Sequence, residues 1–124
     1  MNTGRPSVLL VEDDADTRHM YATSLHFFGF DVMEARDGME GVRCAQVVHP
    51  DVVLMDVAMP RMDGLEATRR LKNNPDTASV PVVIISAFTT AQDRQRALEA
   101  GAAEFLGKPC DPELLANRLR RYHS

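Results

Sequence analysis

The chain has 124 residues, of which 44% are hydrophobic and 26% charged, and 14 Lys and Arg against 18 Asp and Glu give a net charge of −4. This length suits one domain with one core, and the composition excludes a disordered chain. The acidic balance lacks the surplus of a nucleic-acid binder, no apolar run nears the ~20 residues that cross a bilayer, and the N-terminus has no apolar stretch of a secretory signal. Two cysteines, Cys44 and Cys110, make no disulfide scaffold and point to a reducing cytoplasm.

The first apolar run is Val8 to Val11, followed at once by Glu12, Asp13 and Asp14. Thr17, Tyr21, Leu25 and Phe28 then recur at helical spacing, and Gly29 stops that helix. A weaker run from Phe30 to Ala35 fits a strand nearer an edge. Asp37 with Glu40 resembles a capping box and opens a second helix. Val52 to Met55 is the third strand, closed by Asp56. Asp63 with Glu66 repeats the capping pattern. Val80 to Ile85 is the fourth strand, closed by Ser86. Thr90 with Asp93 opens the fourth helix, and Gly101 ends it. Ala103 to Leu106 fits a fifth strand, with Lys108 just beyond. Asp111-Pro112-Glu113 combines a cap residue, proline at the first helical position and an acid in the first turn. Leu115, Leu119 and Tyr122 form the buried stripe of that last helix. Arg118, Arg120 and Arg121 read as a solvated face near its C-terminus.

The three strong runs do not alternate with polar residues, as expected of strands buried on both faces of a parallel sheet. Five strands alternating with five helices predict an α/β fold with helices on both faces and right-handed crossovers. In such a sheet functional groups gather at the carboxyl ends of the strands. That edge collects Glu12, Asp13, Asp14, Asp56, Ser86 and Lys108. Taken singly, an acidic pair reads as a helix cap, the lysine as a solvated charge, and the serine as a local backbone partner. Together, clustered carboxylates call for a cation, and a hard divalent ion with oxygen ligands meets that need. An Asp, a divalent ion, a hydroxyl and a Lys make a phosphoryl-transfer site.

Four segments carry a family resemblance: Val8 to Asp14, Pro50 to Gly64, Val82 to Ala87, and Phe105 to Pro109. The sequence resembles a receiver domain of two-component response regulators, of the chemotaxis-regulator-like single-domain type. The resemblance implies a flavodoxin-like (βα)5 fold with strand order 2-1-3-4-5. It implies one receiver domain over residues 1–124 with no output domain. It further implies that Asp56 accepts a phosphoryl group from a histidine kinase or phosphotransfer protein. Glu12, Asp13, Asp56 and the Ala58 carbonyl match the ligands of Mg2+, with Mn2+ as an alternative. Ser86 and Lys108 match the groups that contact the phosphoryl oxygens. Phe105 matches the aromatic switch position, which moves inward when Ser86 is recruited. Lys108–Pro109 matches a peptide bond that is typically cis. Pro60 and Gly64 shape the loop after Asp56.

As a phosphoprotein switch, the chain is expected to catalyse only its own phosphorylation and dephosphorylation. Its output would pass to a protein bound at the face of the fourth helix, fifth strand and fifth helix. No direct nucleic-acid or membrane partner is expected, and a phosphorylation-linked dimer stays open. Ala58 and Phe88 sit two residues beyond Asp56 and Ser86, where polar side chains orient the attacking water in relatives. Ala58 cannot do so and Phe88 would shield the site, so slow spontaneous dephosphorylation is expected. Two rival readings remain: an aspartate-nucleophile phosphatase, which usually carries a second Asp at the position of Ala58, and a pseudo-receiver that binds without phosphorylation. His19, His26, His49 and His123 share no metal-ligand spacing and read as exposed. Met55, Met59 and Met62 read as gap-filling core. Cys44 reads as packed in the second helix. Cys110 reads as an inert thiol, although nearby positive charge would lower its pKa. The two cysteines are expected on opposite faces of the sheet.

Overall fold

The uninterrupted apolar runs form strands because β-branched and aliphatic side chains can be buried on both sides of one ribbon. Ser7–Val11 (β1), Asp31–Ala35 (β2), Val52–Val57 (β3), Val82–Ser86 (β4) and Glu104–Gly107 (β5) pair in parallel in the order β2-β1-β3-β4-β5. The computed structural model describes residues 4–57 and 62–123, without the side chains of Met62 and Asp63. Ala15–Phe27 (α1), Gly38–Val48 (α2), Met62–Asn73 (α3), Ala91–Glu99 (α4) and Pro112–Arg120 (α5) alternate with the strands. The expected α/β alternation and strand order are both observed. Every residue of β3 and β4 is buried, whereas the edge strands β2 and β5 are mostly half-buried. The two weaker apolar runs are weaker because each has only one neighbouring strand.

Strand periodicity sorts the core into two layers. Leu9, Val53, Met55, Val82, Ile84 and Phe105 pack on one side with Ala45 of α2, Leu71 of α3 and Ala97 of α4. Val8, Leu10, Val52, Leu54, Val83 and Ile85 pack on the other with Leu25 of α1 and Leu115 and Leu119 of α5. Each large aliphatic side chain buried here contributes about 1.5–3 kcal/mol. Cys44 packs against the first layer and Cys110 against the second, and both are free thiols.

Helix starts follow the cap residues, with two corrections. The side chains of Asp14, Asp37, Thr90 and Asp111 accept the backbone N–H of Thr17, Glu40, Asp93 and Leu114. Each such cap stabilises by about 1 kcal/mol. The Thr90–Asp93 capping box is complete. The Asp37–Glu40 box is displaced: Glu40 Oε1 accepts the N–H of Arg36 at 2.6 Å, not that of Asp37. Arg36 also pairs with Glu40 Oε2 at 3.5 Å, which holds that carboxylate one residue early. Asp63 is not a cap, because α3 begins at Met62 and Asp63 lies inside the helix.

Strand and helix ends also shift for local reasons. β4 begins at Val82, not Val80, because Pro81 has no N–H and the Val80 N–H is bonded to Thr77 O at 3.0 Å. Phe28 lies at the C-cap of α1, and Gly29 takes the left-handed conformation (φ 101°) that a side chain would strain. Tyr122 is half-buried just past α5. Gly64 sits inside α3 and not in the loop before it. A Cβ there would meet Val57 Cγ2 at 2.9 Å, so this glycine lets α3 approach the end of β3.

Candidate functional site at the carboxyl edge

The strand order reverses between β1 and β3, and this switch point is where an open parallel sheet forms its crevice. Glu12 directly follows β1, and its backbone N–H bonds to Ala35 O at 3.0 Å, which extends the sheet by one residue. Asp56 lies within β3, opposite Ile85. Strand alternation continues the Val52–Leu54 side of the sheet to Asp56 and the Leu10 side to Glu12. It likewise places Lys108, beyond β5, on the side of Leu106. Three charged groups from three strands therefore share one side of the sheet.

Asp56 has a fully buried side chain, and Lys108 Nζ lies 2.6 Å from its Oδ1. Apart from this ammonium and the Glu12 carboxyl beside Asp56, no donor among the described residues reaches either Asp56 oxygen or Glu12 Oε1. Glu12 Oε2 accepts the Asp14 N–H at 2.6 Å. Burial, reinforced by the Asp56 carboxylate beside it, pushes the Glu12 carboxyl up to about 8. Asp13 is exposed at the mouth, and its carboxylate adds to the upward push on Glu12. Asp14, the third acid of the run, is a cap only, and its bond from Thr17 lowers its pKa.

Ser86 closes β4 between Val57 and Gly107. Its side chain does what the local reading of a strand-end serine expects: Oγ accepts the Phe88 N–H at 3.0 Å. The Ser86 carbonyl accepts the Lys108 N–H at 2.8 Å, which ties the lysine backbone to β4. The Lys108–Pro109 bond is cis, as the resemblance implies. Phe88 is 40% exposed. Phe105 is buried in the layer opposite Asp56. Ala58, Met59 and Pro60 lie outside the described residues, as do the side chains of Met62 and Asp63.

Three residues near the site were not singled out in the sequence. Arg18 Nη1 donates to Glu12 O at 2.9 Å, and its Nε pairs with Glu34 at 3.3 Å. Tyr21, read only as core, has its phenol pushed up to about 12 by burial first and by the Asp56, Cys110 and Glu12 charges next. Arg94 of α4 lies over Phe105. Helical spacing marks Tyr21 as inward-facing, but nothing in the sequence reveals that its hydroxyl end approaches the acids. Burial raises the Cys110 thiol, with Asp111 acting the same way, so the expected lowering by positive charge does not hold. All four histidines are exposed.

Buried carboxylate oxygens without donors suit a hard cation, which takes one or two carboxylates and completes its shell with water. Among the described residues no three His, Cys, Asp or Glu side chains are arranged as a complete ligand set. A cation at this edge would therefore draw on a main-chain oxygen or water.

A doubly wound α/β protein with an acid–lysine crevice at its switch point is the class that this fold and site define. The chain belongs to the response regulator receiver domain family, whose model matches residues 8–120. It is 32% identical over 93% of its length to the DNA-binding dual master transcriptional regulator RpaA of Synechocystis, of which it covers 48%. It is 38% identical over 91% of its length to the response regulator MprA of a Mycobacterium species, of which it also covers 48%. The chain thus spans about half the length of the curated relatives it matches. The chemotaxis protein CheY4 of Vibrio cholerae superposes with a TM-score of 0.86 at 31% identity, over 95% of this chain and 98% of that one. The receiver domain of sensor histidine kinase PA1611 from Pseudomonas aeruginosa superposes with a TM-score of 0.85 at 31% identity, over 95% and 97%. That structure holds a magnesium ion in its active-site cleft. No helix among the described residues is long and apolar enough to cross a membrane.

Proposed function

We propose that this chain is a phosphoacceptor switch, with Asp56 as the acceptor. The observation that carries this reading is a buried carboxylate at the carboxyl edge, paired with Lys108 at 2.6 Å and set beside the Glu12 carboxyl. The donor is the phosphohistidine of a sensor kinase or phosphotransfer protein. An Asp56 oxygen attacks phosphorus in line, the P–N bond breaks, and its electron pair stays on the leaving imidazole, which takes up a proton. The product is an acyl phosphate. Lys108 moves from the carboxylate to a phosphoryl oxygen, and Ser86 donates its O–H to another.

Glu12, Asp13, Asp56 and the Ala58 carbonyl would hold Mg2+ or Mn2+, which when bound offsets charge on the phosphoryl oxygens. Ser86 Oγ is already engaged by the Phe88 N–H. Turning toward a phosphoryl group breaks that bond and releases the segment between β4 and α4. Phosphorylation then shifts a population by the amount that it favours the released state. The face of α4, β5 and α5 carries the signal to a partner protein, and the cytoplasm is the compartment that this chemistry fits.

The test is to incubate the full chain with a small phosphodonor and Mg2+ and to record intact mass. A gain of one phosphoryl group that is absent in Asp56→Asn supports the reading. No gain in the wild type with any donor overturns it in favour of a binding module. Continuous turnover of the donor without a stable gain favours a phosphatase.

A further inference from the structure

Phe105 is buried at 8% exposure on the edge strand β5, and its ring has no polar substituent of its own. Arg94, an exposed residue of α4, spreads its guanidinium 5.0 Å from the ring centroid. The same side chain donates Nη1 to the Phe105 carbonyl at 3.3 Å. One cation thus covers the ring and binds the backbone that carries it.

The stem of Arg94 is anchored. Its N–H bonds to Thr90 O at 3.0 Å, and Thr90 belongs to the complete capping box that starts α4. Thr90 lies four residues after Ser86, whose Oγ holds the Phe88 N–H. A short covalent path therefore runs from the Ser86 hydroxyl through residues 87–90 to the first turn of α4 and onto Phe105.

We infer that Arg94 is a positioning residue: it holds Phe105 inward before phosphorylation and couples that ring to the segment anchored by Ser86. This inference rests on the phosphoacceptor reading for its consequence, but not for its geometry. An outward swing of the ring must break its contact with the Arg94 guanidinium, which the bond to the Phe105 carbonyl holds in place. Loss of an exposed cation–π contact corresponds to a change of roughly 2–5-fold in the ratio of the two states. If the inward state binds a phosphoryl group better, the affinity must fall in proportion to the inward fraction.

The test places 4-fluorophenylalanine at Phe105 in the full chain and records its fluorine spectrum without any phosphodonor. The Arg94 background is wild type, Arg94→Ala, Arg94→Lys or Arg94→Met. The expected result is one shielded resonance in the wild type, a ~2–5-fold shift of the ratio toward an exposed resonance in Arg94→Ala, and partial rescue by Arg94→Lys. Far-ultraviolet dichroism checks that each variant is folded. An unchanged spectrum in Arg94→Ala overturns the inference, whatever the chain does with phosphate. Full rescue by Arg94→Met also overturns it, because the stem alone would then suffice. A second arm measures beryllium trifluoride affinity with Mg2+. A drop in Arg94→Ala that matches its loss of the inward fraction supports the coupling, and an affinity unchanged despite that loss overturns it. A shifted spectrum with no beryllium trifluoride binding by the wild type supports the positioning and instead overturns the phosphoacceptor reading.

Discussion

The two ends of the same five strands treat their polar groups in opposite ways. At the amino edge, Ser7 and Asp51 satisfy each other: the Ser7 N–H donates to Asp51 Oδ2 at 2.9 Å, and the Asp51 N–H donates to Ser7 Oγ at 3.0 Å. Nearby, Thr77 Oγ1 donates to Leu71 O at 2.7 Å, and Lys72 Nζ donates to the carbonyls of Ala78 and Val80. At the carboxyl edge, by contrast, Asp56 has only the Lys108 ammonium and the Glu12 carboxyl against it, and no hydroxyl or backbone N–H among the described residues reaches its oxygens or Glu12 Oε1. Buried polar groups are nearly always hydrogen-bonded, so exceptions mark places where folding is not the governing demand. The sheet concentrates its unmet bonding capacity at one end, around a residue that a phosphoryl group would occupy.

The largest expected effect is on the pH dependence of the metal-free protein. Glu12 is pushed up to about 8, from 4.5 as the ordinary value, so between these limits the folded state binds a proton that the unfolded state releases. Stability is therefore full below about 4.5 and falls as pH rises toward about 8, by on the order of 2–4 kcal/mol. Urea unfolding across this range reads the slope, which Glu12→Gln is expected to flatten. Mg2+ is expected to bind more tightly as pH rises, because its carboxylate ligands must be ionised. A flat wild-type profile would place the Glu12 proton elsewhere and weaken the contrast between the edges.

A smaller effect separates the two edges directly. Asp51→Ala leaves the Ser7 N–H without its acceptor and is expected to cost about 1–2 kcal/mol. Asp56→Asn removes a buried charge beside Glu12, although it also forfeits the Lys108 pair. It is expected to leave the metal-free protein as stable as the wild type, or more so, while weakening Mg2+ binding. Thermal midpoints with and without Mg2+ measure both. Equal losses for the two substitutions would erase the distinction.

The smallest effect is kinetic. Replacing Ala58 and Phe88 together, as Ala58→Asn with Phe88→Glu, is expected to speed loss of the phosphoryl group several-fold by giving water polar partners. Decay of the phosphorylated chain, timed by intact mass, is the readout. An unchanged decay rate removes these two positions from the control of its lifetime.

Much of the architecture was legible because burial on both faces leaves a plain mark on sequence. The runs at Val8, Val52 and Val82 lack polar interruptions, and Asp111-Pro112 announces a helix by chemistry that few other contexts need. The convergence of Glu12, Asp56 and Lys108 on one side of the sheet also follows from alternation once the strands are placed. The displaced Glu40 bond was not legible, because Arg36 competes for that carboxylate through a side-chain conformation. Nor was the start of α3, since Asp63 and Glu66 have capping spacing although Asp63 already lies inside the helix. Arg94 and Tyr21 escaped for a common reason: each meets its partner across elements, and the pattern within its own helix carries no sign of that meeting.

The central claim is that the buried carboxylate of Asp56 is the phosphoryl acceptor. It is tested most directly by trapping the acyl phosphate with borohydride, which reduces it to an alcohol with release of phosphate. Peptide mapping of the phosphodonor-treated chain is predicted to find homoserine at position 56 and nowhere else. Homoserine at Asp13, or the one-carbon-longer hydroxynorvaline at Glu12, would contradict the claim, as would a phosphoryl group that survives borohydride on Ser86 or a histidine.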